Sequence, residues 1–231
     1  FVLIAESYGY ENQASLLNSG FNYVYEKELL DKLVFSDVNG FRNMIFNNKF
    51  ITSKQMVHFV ENHDEVRVLH RFWKNEKMAC AGSAALLTLP GIRLFYFHQW
   101  LGYMNQVDVN LRRCFKPSIN ATIAQFYKRL FRILDTNAIR YGNWYPLVVH
   151  NSESIIAWKW IKDDQHVLVT VNINNVKSGG WIICDDIPEN QKEVQFRELI
   201  TNTIFMRNPN EMKSKGLNVI LDEYQTQIFE Y

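Results

Sequence analysis

The chain has 231 residues, of which 47% are hydrophobic and 14% aromatic, and its formal net charge is +1. This is the balance of an ordinary globular protein, and it speaks against a dedicated binder of nucleic acid or anionic membrane, which would carry a strongly charged face. No apolar run reaches the roughly 18 residues of a membrane span; the longest, Met78 to Leu89, is interrupted by Gly82, Ser83 and Thr88.

In chain order, Phe1-Val2-Leu3-Ile4-Ala5 is a continuous apolar run that ends on Glu6. Such a run predicts a strand buried on both faces, and hence a parallel sheet covered by helices. The chain opens inside this run without an initiator Met, which predicts that a preceding segment has been lost. A helical segment ending at Gly20 leads to a second strand, Phe21–Tyr25. Helical patterns follow around Lys27–Leu33 and Phe41–Phe46. Met56–Val60 is a third strand, Glu76–Leu89 a small-residue helix closed by Pro90-Gly91, and Ile92–Phe97 a fourth strand. Ala121–Leu134 carries Ile123, Phe126, Tyr127, Leu130, Phe131 and Leu134 at helical spacing. These strand–helix units, about four in number, amount to half of a (β/α)8 TIM barrel, which takes roughly 250 residues.

From about Tyr145 the period changes to 2. Ser154–Trp160, His166–Asn174, Trp181–Cys184, Val194–Leu199, Leu217–Leu221 and Thr226–Phe229 are predicted strands. Turn signals such as Lys177-Ser178-Gly179-Gly180 and Pro188-Glu189-Asn190 separate them. Short strands with frequent turns predict an antiparallel β-sandwich. The expected organisation is α/β followed by all-β: a partial catalytic barrel over residues 1–142 and a β-sandwich over 143–231.

Cys80, Cys114 and Cys184 are odd in number and form no CxxC or Cys/His cluster, so neither a disulfide framework nor a zinc site is predicted. This favours a reducing, cytoplasmic compartment unless a secretion signal preceded Phe1. No calcium loop of the EF-hand kind is present, and no cofactor is identifiable.

Two segments concentrate chemistry. Glu6 closes a buried strand, and in a barrel the reacting groups sit at C-terminal strand ends. A carboxylate there suits general acid work; a water-facing Glu is the plainer reading. Phe59-Val60-Glu61-Asn62-His63-Asp64-Glu65-Val66-Arg67 follows the third strand and gathers an amide, an imidazole, three carboxylates and a guanidinium. Such density is costly unless the groups pair or bind something. The plainer reading is a loop with an Asp cap and with Arg67 in a surface ion pair.

Together these segments resemble the α-amylase family, glycoside hydrolase family 13. Phe59–Arg67 is similar to that family's Asn-His-Asp strand-end motif, and Phe1–Glu6 to its fifth barrel strand with the acid/base Glu. Phe21–Tyr25 looks like the sixth strand, and Leu87–Tyr96 like the approach to the eighth. The β-rich end is similar to the family's C-terminal domain. The resemblance implies that Glu6 protonates the glycosidic oxygen and then activates water. It implies that Asp64 stabilises an oxocarbenium-like transition state, and that His63, with Asn62 beside it, binds the sugar. Tyr8 is a candidate for stacking on a sugar ring, with Tyr10, Trp100 and Tyr103 as weaker ones. Trp158 and Trp160 are expected to pack the sandwich, and Arg112-Arg113 with Lys116 to be a solvated loop.

The implied substrate is an α-glucan or malto-oligosaccharide. The family's nucleophile, an Asp on the fourth strand, has no counterpart: Asp31 and Asp37 lie in or after a helix and Asp108 in a long loop. The missing N-terminal half-barrel is therefore an expected covalent or separate partner, and the chain alone is expected to be inactive. Any calcium of the parent protein would have its ligands outside this chain. His98 stands where the family has a Gly, which puts the shape of that loop in question. A non-catalytic glucan-binding or scaffold module of the same fold is the alternative.

Overall fold

The computed structural model describes residues 1–48, 50–110, 116, 118–184, 186–187 and 192–231. Arg112, Arg113, Cys114 and the turn signal expected at Pro188-Glu189-Asn190 lie outside the described residues. The chain divides into two compact units, Phe1–Ala124 and Gln125–Tyr231.

The first unit alternates strands and helices. It contains β1 (Ile4–Ala5), α1 (Tyr10–Asn18), β2 (Tyr23–Glu26), α2 (Glu28–Val34), α3 (Val38–Asn47), β3 (Met56–His58), α4 (Val68–Arg71), α5 (Glu76–Leu87) and β4 (Ile92–Arg93). The strands form one four-stranded sheet in the order β1-β2-β3-β4. All pairings are parallel, with Ile4 opposite Tyr23, Val24 opposite Met56 and Val57 opposite Ile92. Parallel order brings every strand's C-terminal end to one edge, which is where Glu6 and the 59–67 segment emerge.

The predicted strands are present but shorter. Ile92–Phe97 is extended only over Ile92–Arg93. The expectation of a first strand buried on both faces is overturned: Phe1, Val2, Leu3 and Ile4 are exposed and only Ala5 is buried. The reason is position, since β1 is an edge strand hydrogen-bonded only to β2 among the described residues.

Local chemistry fixes the helices. Glu26 ends β2, and its Oε1 accepts from Leu29 N at 2.9 Å, capping α2. Asp37 accepts from Gly40 N and Asn75 from Met78 N, the usual side-chain cover for orphan amides. α5 is buried nearly all round, which its small residues allow. At Gly82 an added Cβ would come within 2.5 Å of the Phe72 ring.

Two features tie the strands together. Gly91 has φ +112°, and a Cβ there would meet Met56 O at 2.3 Å, so glycine is what lets the chain turn from α5 onto β4 against β3. Buried His58 lies opposite Glu26 in the β2–β3 register. Its Nε2 donates to Pro90 O at 2.8 Å and its Nδ1 faces Glu26 Oε2 at 3.4 Å.

After β4, a single 3-10 turn spans Gln99–Leu101 between His98 (φ 59°) and Gly102 (φ 68°), both left-handed. His98 thus adopts the backbone a glycine takes more cheaply. Its ring lies against Phe97 with centroids 3.7 Å apart and planes tilted by 30°, and it meets Tyr103 edge-on at 5.9 Å.

α6 (Ala121–Leu134) starts in the first unit and continues into the second. Ile123, Phe126, Tyr127, Leu130, Ile133 and Leu134 are its buried residues, while Phe131 stays 38% exposed. Then come α7 (Asn137–Tyr141), β5 (Asn143–Leu147), β6 (Val149–His150), β7 (Ile155–Lys162), β8 (Gln165–Asn172), β9 (Ser178–Ile182), β10 (Val194–Glu198), β11 (Thr203–Arg207), α8 (Pro209–Lys215), β12 (Leu217–Leu221) and β13 (Thr226–Glu230).

These strands make two antiparallel sheets. One has six strands in the order β11-β10-β13-β8-β7-β5, the other three in the order β12-β9-β6. A single apolar cluster draws on both sheets, with Leu168, Phe196 and Phe229 from the larger and Ile182, Leu217 and Val219 from the smaller. Trp158 and Trp160 are 0% and 3% exposed, in line with a packing role. Asp186 is held by Lys159 Nζ at 3.0 Å, His166 Nδ1 at 2.7 Å and Tyr231 Oη at 3.0 Å. Burial acts to raise its carboxyl pKa, but the bonds from Lys159 and Tyr231 outweigh burial and hold it below the ordinary value.

Candidate active site

β1 delivers Glu6 and β3 delivers Asn62, His63 and Asp64 to the same edge of the parallel sheet. His63 Nε2 lies 3.8 Å from Glu6 Oε2 and 3.5 Å from Asp64 Oδ2. The three residues that sequence analysis singled out are therefore one cluster. Their side chains remain 35% (Glu6), 39% (His63) and 69% (Asp64) exposed, so the cluster is open to a ligand. One ligand atom from each lies within 4.8 Å of the others. This is the trio among the described residues with metal-ligand spacing, although the same spacing serves proton transfer.

Asn62 stands behind the trio. It is buried, its Nδ2 donates to Tyr8 Oη at 3.2 Å, and its Oδ1 accepts from Asp64 N at 3.0 Å and Glu65 N at 2.8 Å. It is thus a positioning residue that turns the chain so that His63 and Asp64 project. Tyr8 packs edge-on to Tyr25, with centroids 6.5 Å apart. Burial raises the Tyr8 phenol above its ordinary pKa against the Asn62 bond, with the charges of Glu6 and Glu65 adding to the rise. Tyr25 is raised too, by burial and then by Glu6. Both phenols therefore hold their protons to higher pH than a free tyrosine would.

The surface-pair reading of Arg67 is overturned. Arg67 is 1% exposed and its Nη1 lies 3.0 Å from Glu61 Oε1, which is also buried. Its Nε donates to Tyr103 O and its Nη2 to Phe97 O, and the guanidinium lies between the rings of Tyr96 and Tyr103 at 4.9 and 5.0 Å. Glu61 Oε2 accepts from Val68 N. Burial pushes the Glu61 carboxyl up to about 7, with the Arg67 charge and the Val68 amide opposing it.

Of the aromatic candidates, Tyr8 joins the site. Tyr10 packs edge-on to Phe50 at 5.0 Å, and Tyr103 is buried beneath Arg67. Sequence analysis missed the charges beyond Tyr8. A cleft of about 280 Å³ there is lined by Tyr8, Gln13, Lys27, Asp31 and Glu65. Lys27 Nζ lies 3.2 Å from Asp31 and 3.7 Å from Glu65, and Arg71 pairs with Glu65. The available signal was Lys27's place directly after β2, at the same C-terminal strand edge as Glu6.

No protein-family model and no curated protein matches the chain. Solved structures do. The α-amylase of Geobacillus thermoleovorans, solved with acarbose, superposes with a TM-score of 0.76 at 15% identity, over 100% of this chain and 53% of that one. A maltogenic α-amylase from Thermotoga neapolitana gives 0.79 at 15% identity, over 100% and 54%. The debranching enzyme of Nostoc punctiforme, soaked with acarbose, gives 0.72 at 12% identity, over 100% and 50%. The chain thus shares the fold of α-amylase-family enzymes while spanning about half of their length.

Proposed function

We propose that this chain is the C-terminal part of a retaining α-glycoside hydrolase or transglycosylase that acts on α-glucans or malto-oligosaccharides. In this reading residues 1–142 are half of a (β/α)8 barrel and residues 143–231 a β-sandwich. The observation that carries it is the meeting of Glu6, His63 and Asp64 at the C-terminal edge of the parallel sheet. Glu6 transfers its proton to the glycosidic oxygen as the C–O bond breaks, then takes a proton from the water that attacks. Asp64 stabilises the positive charge that develops on the sugar, and His63 donates to its hydroxyls. Retention needs a second carboxylate roughly 5 Å from the acid. The complementary barrel half, in the same polypeptide or a separate one, supplies it as the nucleophile. Without that carboxylate no glycosyl–enzyme ester forms.

The longest natural reading frame that contains this chain, assayed on maltoheptaose, tests the proposal. Release of α-anomeric products is expected, with Glu6→Gln lowering kcat by about 10² to 10⁴. The chain alone is expected to give no turnover. Absence of turnover from a complete, folded barrel with Glu6 intact would reject the enzyme reading in favour of a glucan-binding or scaffold module.

A further inference from the structure

One face of the parallel sheet carries a charged row that the proposed chemistry does not use. Ala5, Val24 and Met56 point to the helix side, where Leu16 and Leu17 of α1 pack against them. Two residues further along the strands, alternation places Glu26 and His58 on that same side. They are opposed in the β2–β3 register, and Arg93 of β4 is opposed to His58. The Glu26 and His58 side chains are only 2% and 0% exposed, a depth at which an unmatched polar atom is costly.

Two atoms are nonetheless unmatched. Glu26 Oε2 and His58 Nδ1 have no hydrogen-bond partner among the described residues, and they face each other at 3.4 Å. Pro90 O can only accept, so His58 Nε2 carries a hydrogen. A neutral ring then has a bare lone pair on Nδ1, and an ionised Glu26 has only lone pairs on Oε2. Two acceptors would stand face to face. A single added proton removes the clash, because one atom can then donate to the other. The remaining charged group of the row, Arg93, bonds Leu87 O at the end of α5 through Nε, which leaves the Glu26 carboxyl to His58. The buried residues of α1, α2, α3 and α5 are all uncharged.

We propose that Glu26 and His58 hold one proton between Oε2 and Nδ1 at neutral pH, and that this proton closes a latch across the sheet. The latch runs from Leu29 N at the start of α2, through Glu26 and His58, to Pro90 O at the turn into β4. It fixes β2 against β3 just before the loops that bear Lys27 and Glu65, whose side chains meet at 3.7 Å. When the proton leaves, the two acceptors repel and the latch opens. None of this depends on the function proposed above.

The test reads the ring nitrogens of His58 and the side-chain carboxyl carbon of Glu26 by nuclear magnetic resonance, in the isotopically labelled chain at neutral pH. His58→Asn and Glu26→Gln assign the signals. The pair is expected to hold one proton more than a neutral ring with Nε2–H beside an ionised carboxylate, seen as a second ring proton or as a protonated Glu26. In Glu26→Gln the amide donates to Nδ1 instead, so His58 is expected to be neutral and protonated on Nε2 alone. Glu26→Met fills the space with neither bond. There, exchange of the His58 Nε2–H with solvent is expected to be roughly tenfold faster than in the parent chain and in Glu26→Gln; failure of Glu26→Met alone to fold would carry the same meaning. A neutral His58 beside an ionised Glu26 in the parent chain would overturn the shared proton. Exchange as slow in Glu26→Met as in the parent chain would overturn the latch.

Discussion

Tyr8 and Asn62 are 54 positions apart in sequence, yet Asn62 Nδ2 donates to Tyr8 Oη at 3.2 Å. This bond joins the loop after β1 to the loop after β3, and so sets Glu6 relative to His63 and Asp64. Tyr8→Phe removes one hydrogen bond and is expected to cost about 1 kcal/mol of stability. Asn62→Ala also strips the partner from the amides of Asp64 and Glu65 and is expected to cost about 2–3 kcal/mol. Urea denaturation of the chain measures both, and equal effects would contradict the positioning role of Asn62.

Glu61 gives the first unit a pH dependence. Burial lifts its carboxyl from the ordinary 4.5 to about 7. Between those values the folded chain holds a proton that the unfolded chain has lost, so stability falls as pH rises through this window, by up to about 1.4 kcal/mol per pH unit. Glu61→Gln keeps the shape without the ionisation and is expected to flatten the slope. Denaturation midpoints at about pH 5 and about pH 8 in both proteins check this; a slope unchanged by the substitution would exclude Glu61 as its source.

Gly91→Ala is expected to destabilise the first unit by roughly 2–4 kcal/mol. The residue sits at φ +112°, and the new methyl would press on Met56 O. Gly20→Ala is the control: its φ of +102° is similarly strained, but no atom lies within 4 Å of the added Cβ. Thermal melts should rank Gly91→Ala well below Gly20→Ala.

Asp186→Asn is expected to cost the second unit about 3 kcal/mol, because Lys159 and His166 lose their shared carboxylate. In the parent chain the Asp186 pKa lies below its ordinary value. Its contribution is therefore present above that ordinary value and lost as pH falls through the lowered one. Acid titration of the two proteins by near-ultraviolet circular dichroism separates them: their difference should shrink only at strongly acidic pH.

Much of this architecture is legible in the sequence because periodicity reports burial. Ala121–Leu134 is a helix over the predicted span, though Ile133 rather than Phe131 completes its buried face. The pattern fails for short or edge elements. β6 has two residues, β5 contains Pro146, and β11 turns Ile204 and Met206 outward. The trio was legible because strand-end position and residue type agree at Glu6, His63 and Asp64. The network of Lys27 with Glu65, and the burial of Arg67 between Tyr96 and Tyr103, arise from contacts that no local pattern encodes.

The segment between β3 and α4 is clamped at both ends, by Glu61 on Arg67 and Val68 and by Asn62 on Tyr8. His63 and Asp64 therefore ride on an arch whose backbone is ordered before any ligand arrives. Little reorganisation remains to be done on binding, so the entropy that a flexible loop would lose at that moment has already been spent in folding. Mutations in the buried Glu61–Arg67 end of the clamp should accordingly weaken ligand capture without altering any group that meets the ligand.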